Sequence, residues 1–348
     1  MGLHVLPPQP VGVAWPTREW QSAPCKSRRL EALLDLMFED ATVYGETYAA
    51  LVVRGSEIVA ERYSGALPNF VGPAIPVDID TPLLSWSMAK SITHAAVGIL
   101  KGRGSLDVTD RLSVPEWQQD ERRNIRIDDL LAMRDGLDFV EDYIDGEASD
   151  VIEMLFGAGA DDVARYAKAK PVAHAPDEVF NYSSGSTNIV ARLVGDIVGG
   201  GEPGMRRFLT TELFGPIGMT SADPRFDATG TFIGSSYVHA TARDFARFGL
   251  LYLRDGMWDG RRLLPEGWVD HGRTLRSIDP ENCRGYGAQW WVVGDEFGSF
   301  WASGYEGQMT VCVPSLDLLI VRLGKTDASL GPNLYEWRAR VTQACAED

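Results

Sequence analysis

One uncharged apolar segment constrains what this chain can fold into. Residues 91–100 contain no acidic residue, lysine or arginine, and apolar or small side chains fall on nearly every helical face. A helix that is apolar on most sides needs protein around it. Gly102 and Gly104 follow the segment and are typical of a helix end. The pattern predicts a buried central helix from Ser87 to Lys101, with the rest of the chain arranged around it.

A serine and a lysine are spaced by three residues at the start of this helix. Ser87 and Lys90 lie one turn apart on the same helical face, so Oγ and Nζ can meet. The helix N-terminus favours an anion near Ser87, and an apolar surrounding lowers the pKa of a lysine. A neutral Lys90 could take the proton of Ser87 and make it a nucleophile. Chance alone yields about one Ser-x-x-Lys match in a chain of this length, so the pair needs further support.

Strand patterns occur near both ends of the chain, and helical patterns lie between them. This order predicts an α+β fold in which one antiparallel sheet is built from N- and C-terminal strands, flanked by helices, with a large helical insertion. At 348 residues about two domains are expected. We predict a proline-rich N-terminal arm over 1–24, a sheet domain over 25–83 plus 241–348, and a mainly helical domain over 84–240. The active site is expected between the two domains.

The predicted elements follow from residue periodicity and turn residues. The early strands form a hairpin, Thr47–Arg54 and Glu57–Ser64, and the loop 65–81 then leads to the central helix. An acidic loop over 138–150 contains Tyr143. The late strands are predicted at Tyr286–Val293, Gly298–Ala302, Gln308–Val313 and Leu318–Leu323. The remaining helices are predicted at 27–40, 127–134, 149–156, 161–169, 186–198, 241–254 and 332–344.

Composition narrows the classes of partner. Acidic residues exceed basic ones by 49 to 33, and the net charge of −16 disfavours nucleic acid and anionic membrane surfaces. The four cysteines (Cys25, Cys283, Cys312, Cys345) are scattered without metal spacing, so we expect no metal and no cofactor. No signal-peptide pattern or transmembrane stretch is evident, which makes a cytoplasmic protein the default expectation.

Two further motifs raise the significance of Ser87. The tripeptide Tyr182-Ser183-Ser184 directly precedes a predicted helix, and the glycine-bounded segment Gly304–Gln308 lies between two late strands. This order of motifs resembles the serine β-lactamase and penicillin-binding superfamily. Within it the chain is similar to class C β-lactamase-type esterases and amidases, and most to the 6-aminohexanoate-dimer (nylon oligomer) hydrolases. The resemblance covers roughly residues 27–345, including the block Ser236–Gly249.

The resemblance implies a role for each matching residue. Ser87 would be the acylated nucleophile and Lys90 its base. Tyr182 would pass a proton to the leaving group and later activate the deacylating water. Ser184 stands where many relatives have Asn and would hydrogen-bond Lys90 or substrate. The backbone N–H groups of Ser87 and Gln308 would form the oxyanion hole.

Substrate contacts are implied for four more residues, and here the chain departs from the β-lactamases. Tyr143 resembles a substrate-contacting tyrosine of the nylon oligomer hydrolases. Tyr305-Glu306-Gly307 stands where β-lactamases have Lys-Thr-Gly, so the cation that holds a β-lactam carboxylate is missing and Glu306 adds an opposing charge. The interpretation is a serine hydrolase of small ester or linear amide substrates, with inefficient antibiotic hydrolysis.

Other interpretations remain open at this point. A binding or sensor protein on the same fold, with little turnover, is one, since fold does not fix function; a weak β-lactamase or D-peptidase is another. Tyr182 could be a structural buried aromatic, and Gly304 and Gly307 could serve only a strand turn. A conventional α/β-hydrolase is less favoured, because no serine lies in a Gly-x-Ser-x-Gly motif. The sequence leaves the oligomeric state and the scissile bond, ester or amide, undetermined.

Overall fold

The computed structural model describes residues 2–69, 72–143 and 149–347. Parts of the predicted loops 65–81 and 138–150 therefore lie outside the described residues. The described strands are β1 (Glu46–Arg54), β2 (Glu57–Tyr63), β3 (Ala66–Leu67), β4 (Ile75–Pro76), β5 (Leu83–Leu84), β6 (Asp223–Pro224), β7 (Val238–Ala240), β8 (Met257–Trp258), β9 (Arg261–Arg262), β10 (Ser277–Ile278), β11 (Gly285–Tyr286), β12 (Trp291–Val292), β13 (Phe300–Gly304), β14 (Gln308–Val313) and β15 (Leu318–Lys325).

One antiparallel sheet joins the two ends of the chain. Its eight strands lie in the order β10-β11-β12-β13-β14-β15-β1-β2, so the N-terminal hairpin pairs directly with the last strand. The register of β1 on β15 places Val52 opposite Ile320. The predicted fold class, a sheet of N- and C-terminal strands with helices inserted between them, is confirmed.

The described helices are α1 (Arg28–Glu39), α2 (Ala41–Tyr44), α3 (Ala89–Gly102), α4 (Ile127–Leu131), α5 (Asp150–Phe156), α6 (Val163–Lys168), α7 (Ser184–Val198), α8 (Gly201–Phe208), α9 (Gly215–Ile217), α10 (Ala242–Leu253), α11 (Trp268–Arg273) and α12 (Gly331–Ala346). The helices α1 and α10 begin as predicted, because the side chains of Ser27 and Thr241 cap their first turns. None of the helices in the described ranges has the length and apolarity that a membrane crossing requires.

Helices cover both faces of the large sheet. Alternate residues of β1 belong to different apolar clusters: Leu51 and Val53 lie in the cluster with α10, and Val52 lies in the cluster with α1 and α12. A strand covered on both faces can be apolar at every position. This explains why residues 49–53 read as a continuous apolar run rather than an alternating one.

The central helix is buried as predicted. Every residue of α3 from Ala89 to Leu100 is buried. The helix begins two residues later than Ser87, because Trp86–Met88 forms a separate 3₁₀ turn. The nucleophile candidate therefore lies on a turn that feeds the helix rather than in the helix itself.

One predicted strand is wrong. Residues 286–293 form two short antiparallel strands, β11 and β12, instead of one. Gln289, at φ 59°, sits in the turn between them, and its side-chain amide donates to the Leu131 carbonyl. The break lies where Gly287 passes close to α11: a Cβ at Gly287 would lie 2.0 Å from the Gly272 carbonyl oxygen.

The described part of the N-terminal arm, residues 2–24, is irregular but packed. Trp20 is buried, and its indole N–H donates to the Arg243 carbonyl at 3.2 Å. Arg254 donates to the Pro7 carbonyl at 3.2 Å. These contacts attach the arm to α10 and the loop that follows it. The domain boundaries given above remain a prediction.

Candidate active site

Ser87 lies on a turn that buried hydrogen bonds hold in place. The Ser85 side chain is fully buried; its hydroxyl accepts from the Val238 N–H at 3.1 Å and lies 2.9 Å from the Trp86 carbonyl oxygen. Trp86 has φ 44°, a left-handed backbone conformation that residues other than glycine rarely adopt. Such strain persists only where the surroundings enforce it, and it clusters at functional sites. Here it occurs at the residue directly before Ser87.

Lys90 is enclosed, and within the described part of the chain its amine has three oxygen partners. Its side chain is 2% exposed, and Nζ lies 3.0 Å from Ser87 Oγ, 2.9 Å from Ser184 Oγ and 3.2 Å from the Ser235 carbonyl oxygen. Burial lowers the pKa of Lys90 to about 8, and the carboxylate of Glu141 opposes that shift. Near neutral pH a fraction of the Lys90 amine is therefore neutral, whereas a lysine in water is almost fully charged.

Tyr182 lies beside this pair. Lys90 Nζ is 4.8 Å from the centre of the Tyr182 ring, and the phenol interacts with the Ser87 hydroxyl. The ring packs against Tyr286 and Trp291. Burial and then the Glu141 charge raise the pKa of Tyr182 far above its ordinary value, so the phenol keeps its proton at neutral pH.

The loop that carries Tyr182 is attached to the end of α4 by backbone contacts. Asn181 N–H donates to the Met133 carbonyl at 2.8 Å, and the Asn181 amide donates to the carbonyls of Leu137 and Phe139. Ser183 caps α7, which starts at Ser184 rather than at the predicted residue 186. These contacts fix the position of Tyr182 and Ser184 relative to the lysine.

Glu141 is the residue of this site that the sequence analysis missed. Its side chain is 7% exposed, and Oε1 lies 2.6 Å from Ser184 Oγ and 3.9 Å from Lys90 Nζ. Oε2 accepts from the Ser184 N–H at 2.7 Å, where the start of α7 leaves backbone donors unpaired. Glu141 comes from a loop 43 residues away from Ser184, so periodicity gives no sign of it. The nearest signal was its position two residues before Tyr143.

The turn between β13 and β14 borders Ser87. A Cβ at Gly304 would lie 2.3 Å from the Ser85 carbonyl oxygen, so a glycine is needed where this turn approaches the nucleophile segment. Gln308 is buried, and its side chain bonds both the carbonyl and the N–H of Gly324. These bonds fix the first residue of β14 beside the turn. The oxyanion role of the Ser87 and Gln308 N–H groups remains a prediction.

Tyr305, Glu306 and Gly307, which stand where β-lactamases have Lys-Thr-Gly, contact different parts of the structure. Tyr305 stacks on Tyr143, with ring centres 4.6 Å apart, and meets Trp86 edge-on at 5.6 Å. Glu306 adopts φ 60°, and its carbonyl accepts from Arg322. The Gly307 carbonyl also accepts from Arg322. Among the described residues of this motif, only Tyr305 lines the cavity next to Tyr182.

That cavity has a volume of about 610 Å³ and is strongly acidic. Five of its described lining residues are carboxylates, and Arg284 is the single cation among them. The carboxylates are Glu141, Asp142, Asp279, Glu281 and Asp327. Aromatic rings (Tyr143, Phe180, Tyr182, Trp291 and Tyr305) form most of the remaining wall. The site thus combines a serine, a buried lysine and a protonated tyrosine with an acidic, aromatic cleft.

Comparison with known proteins gives consistent matches. The family model described as Beta-lactamase matches residues 45–344. The 6-aminohexanoate-dimer hydrolase of Paenarthrobacter ureafaciens is 30% identical over 303 residues, which cover 80% of this chain and 72% of the relative.

Solved structures share the fold. A Bacillus anthracis protein provisionally described as a 6-aminohexanoate-dimer hydrolase superposes with a TM-score of 0.74 at 22% identity, covering 98% of this chain and 91% of the other. A family VIII carboxylesterase superposes with a TM-score of 0.70 at 15% identity, covering 93% and 99%. At these identities the two structures establish the common fold alone.

Proposed function

Because this chain belongs to the beta-lactamase family, whose members include hydrolases of linear amides, we propose that it hydrolyses ester or linear amide bonds through an acyl-enzyme on Ser87. The observation that carries the proposal is the 3.0 Å contact between Ser87 Oγ and a buried Lys90 amine. Burial keeps a fraction of that amine neutral, which is the form that can accept a proton.

The proposed reaction uses the same three side chains twice. Lys90 takes the proton of Ser87 as Oγ forms a bond to the substrate carbonyl carbon. Tyr182 donates its proton to the leaving oxygen or nitrogen as that bond breaks, and recovers a proton from Lys90. In deacylation Tyr182 passes its proton to neutral Lys90 as it takes one from water, and the resulting hydroxide attacks the acyl carbon. The proton held by Lys90 then returns to Oγ as the bond between Oγ and the acyl carbon breaks. General acid–base transfer of this kind contributes about 10² to 10⁴ in rate.

The charge of the cleft supports substrates without a carboxylate. A β-lactam carries a carboxylate next to its scissile ring, and desolvating it without a cation costs several kcal/mol. Tyr305 lines the cleft at the motif where β-lactamases have lysine, and carboxylates such as Glu281 surround it. An uncharged ester, or a substrate with a free amine, meets no such penalty.

Aromatic rings support an apolar group on the substrate. From Tyr305 the ring contacts continue through Trp86 to Tyr237 and Phe156, with centres 5.6, 6.0 and 6.5 Å apart. Phe156 is 61% exposed, so the row reaches solvent from the residue next to Ser87. An alkyl or aryl acyl group can pack along such a row.

A labelling experiment and a substrate panel test the proposal. A fluorophosphonate should add its mass to the peptide that contains Ser87; Ser87→Ala should lose both label and activity, while the control Ser105→Ala, at an exposed position, should keep both. The panel compares short nitrophenyl esters, amino-acid amides, linear aminohexanoate oligomers and a chromogenic cephalosporin. Labelling of another serine would contradict the mechanism.

The panel also tests the substrate class. We expect turnover of esters or linear amides to exceed that of the cephalosporin, and Tyr305→Lys to raise cephalosporin turnover relative to ester turnover. Faster cephalosporin hydrolysis by the unmodified protein would show that the substrate class is wrong. Stoichiometric labelling without turnover of any substrate would favour a sensor instead.

A further inference from the structure

Glu141 accepts three hydrogen bonds from described residues at the centre of the site. They come from the Ser184 N–H at 2.7 Å, the Ser184 hydroxyl at 2.6 Å and the Tyr143 hydroxyl at 3.0 Å. An ionised carboxylate has no proton to donate. The hydrogen of the Ser184 hydroxyl is therefore committed to Glu141, and Ser184 Oγ can only accept from Lys90.

This commitment determines how a neutral Lys90 is oriented. Of its three oxygen partners, the Ser235 carbonyl has no hydrogen, and Ser184 has given its hydrogen to Glu141. A neutral amine has two hydrogens and one lone pair. With the two hydrogens on Ser235 and Ser184, the lone pair faces the third partner, Ser87 Oγ, at 3.0 Å. The Ser87 proton is then the one that Lys90 can accept.

We propose that Glu141 is a positioning residue: through the Ser184 hydroxyl it directs the lone pair of Lys90 at Ser87. The inference rests on the proposed function and adds a fourth group to it, one that touches no reacting atom. A carboxamide in place of the Glu141 carboxylate would turn the Lys90 lone pair away from Ser87. To keep an acceptor for the Ser184 N–H, Glu141→Gln must turn its NH₂ toward Ser184 Oγ, which frees the hydroxyl hydrogen to occupy the Lys90 lone pair.

The negative charge of Glu141 also affects the pKa of Lys90, and this effect can be measured separately from the orientation of the lone pair. The Glu141 carboxylate lies 3.9 Å from Lys90 Nζ and favours the protonated amine. Opposite charges at such a distance shift a pKa by roughly one to three units. The other ionisable groups that face this centre are the phenols Tyr143, Tyr182, Tyr286 and Tyr305 and the carboxyl of Asp279. Burial raises the pKa of Tyr143, Tyr182 and Tyr286 well above the ordinary value, so these three phenols are neutral at neutral pH. The charge that acts on Lys90 is that of Glu141.

The test follows the rate of fluorophosphonate labelling at Ser87 from pH 6 to pH 10, in the full-length protein. In Glu141→Gln the labelling rate that is reached at high pH, the plateau, should be roughly tenfold lower. The part of the profile in which the rate rises with pH, the rising limb, should move toward lower pH by roughly one unit. In Glu141→Gln/Ser184→Ala the competing hydroxyl is gone, so the plateau should recover several-fold relative to Glu141→Gln alone. Asp138→Asn removes a charge from an exposed position three residues earlier in the same loop and serves as the matched control, with no change in plateau or limb.

Two outcomes would overturn the inference. An unchanged plateau in Glu141→Gln would show that the carboxylate does not orient Lys90. A lowered plateau with an unshifted limb, and no recovery in the double variant, would mean that Glu141 only supports the fold. If the unmodified protein is not labelled at Ser87 at all, the proposed function fails first, and this result is distinct from the other two. Circular dichroism and thermal unfolding of each variant establish that the proteins compared are folded.

Discussion

At the scale of single residues, the central group of the site is the buried amine of Lys90, which contacts three protein oxygens instead of water. Lys90 is 2% exposed, and burial lowers its pKa to about 8. The lowered pKa has opposite consequences for stability and for reactivity. Below pH 8 the folded protein must keep a charge on Lys90 out of water, whereas above that pH the neutral amine is available as a base. A pKa below that of the unfolded chain means that this cost to stability is full below pH 8 and is lost as the pH rises to ~10.4.

We expect the pH dependence of ester hydrolysis to report Lys90. The value of kcat/KM should rise with pH through a group titrating near 8, far below the ~10.4 of a free lysine. Lys90→Arg should lose most of the activity although it keeps the positive charge, because a guanidinium cannot act as a base at neutral pH. The measurement is kcat/KM for a short nitrophenyl ester between pH 6 and 10. Near-normal turnover by Lys90→Arg would contradict the role of the amine.

The protonated phenol of Tyr182 leads to a prediction about leaving groups. Burial holds its pKa far above its ordinary value, so in the proposed reaction Tyr182 would have a proton to donate. An amide nitrogen needs that proton in order to leave, whereas a nitrophenolate leaves without it. Tyr182→Phe should therefore reduce kcat for an amide by roughly tenfold more than kcat for the nitrophenyl ester of the same acyl group. Equal losses on both substrates would assign Tyr182 to positioning rather than to proton transfer.

At the scale of elements, α3 needs space as much as apolarity. The helix is buried along its length, and Trp268 crosses it at Gly98, with the indole N–H donating to the His94 carbonyl at 3.1 Å. A Cβ at Gly98 would lie 2.2 Å from Trp268 Nε1. Glycine in a helix interior costs roughly 0.8–1 kcal/mol relative to alanine. At position 98 glycine is nevertheless the more stable choice, because a side chain there would collide with the Trp268 indole.

A matched pair of glycine substitutions checks this balance. Gly98→Ala should lower the free energy of unfolding by about 1–3 kcal/mol, because the new methyl group must displace a buried indole. Gly195→Ala, near the end of α7, should raise it by about 0.5–1 kcal/mol, since no atom lies within 4 Å of the new Cβ. Chemical denaturation of both variants gives the two values. A stabilising Gly98→Ala would show that Trp268 moves aside at little cost.

At the scale of the whole molecule, the net charge of the chain and the charge of the cleft have the same sign. The chain carries a net charge of −16, and the described lining of the cavity beside Tyr182 has the same sign, with five carboxylates and one cation. A negative cleft raises the local concentration of cations, and salt screens the effect. The Debye length falls from about 30 Å at 0.01 M to about 3 Å at 1 M salt.

We therefore expect substrate selectivity to depend on salt. The ratio of kcat/KM for an ester with a free amine to that for its uncharged analogue should fall as ionic strength rises from ~0.01 to ~0.5 M. For an analogue with a carboxylate the ratio should rise instead. Glu281→Gln, which removes an exposed charge at the cleft, should weaken both trends. A ratio independent of salt would mean that the cleft charge plays no part in selection.

Features that depend on neighbours along the chain could be predicted from the amino-acid sequence. A three-residue spacing places Ser87 and Lys90 on one face of a turn, and apolar residues on nearly every face make a helix that must be buried. Apolar runs at both ends predict the sheet, and three short motifs in order predict the family, which the comparisons confirm. Each of these follows from local geometry or from order, and neither requires the packed fold.

The surroundings of Ser87 and Lys90 could not be predicted in this way, because they come from segments that are distant along the chain. The Glu141 carboxylate reaches Ser184 and Lys90 from a loop far away in the chain, and the run at 286–293 breaks into two strands where Gly287 passes close to Gly272. The acidic cleft is assembled from residues 141–143, 180–182, 279–282, 284, 291, 305 and 327–328. Contacts between distant segments are set by packing, and a charge changes the pKa of a neighbour most strongly where folding removes the water between them. The residues of the motif are therefore local, whereas the electrostatics that surround them belong to the fold.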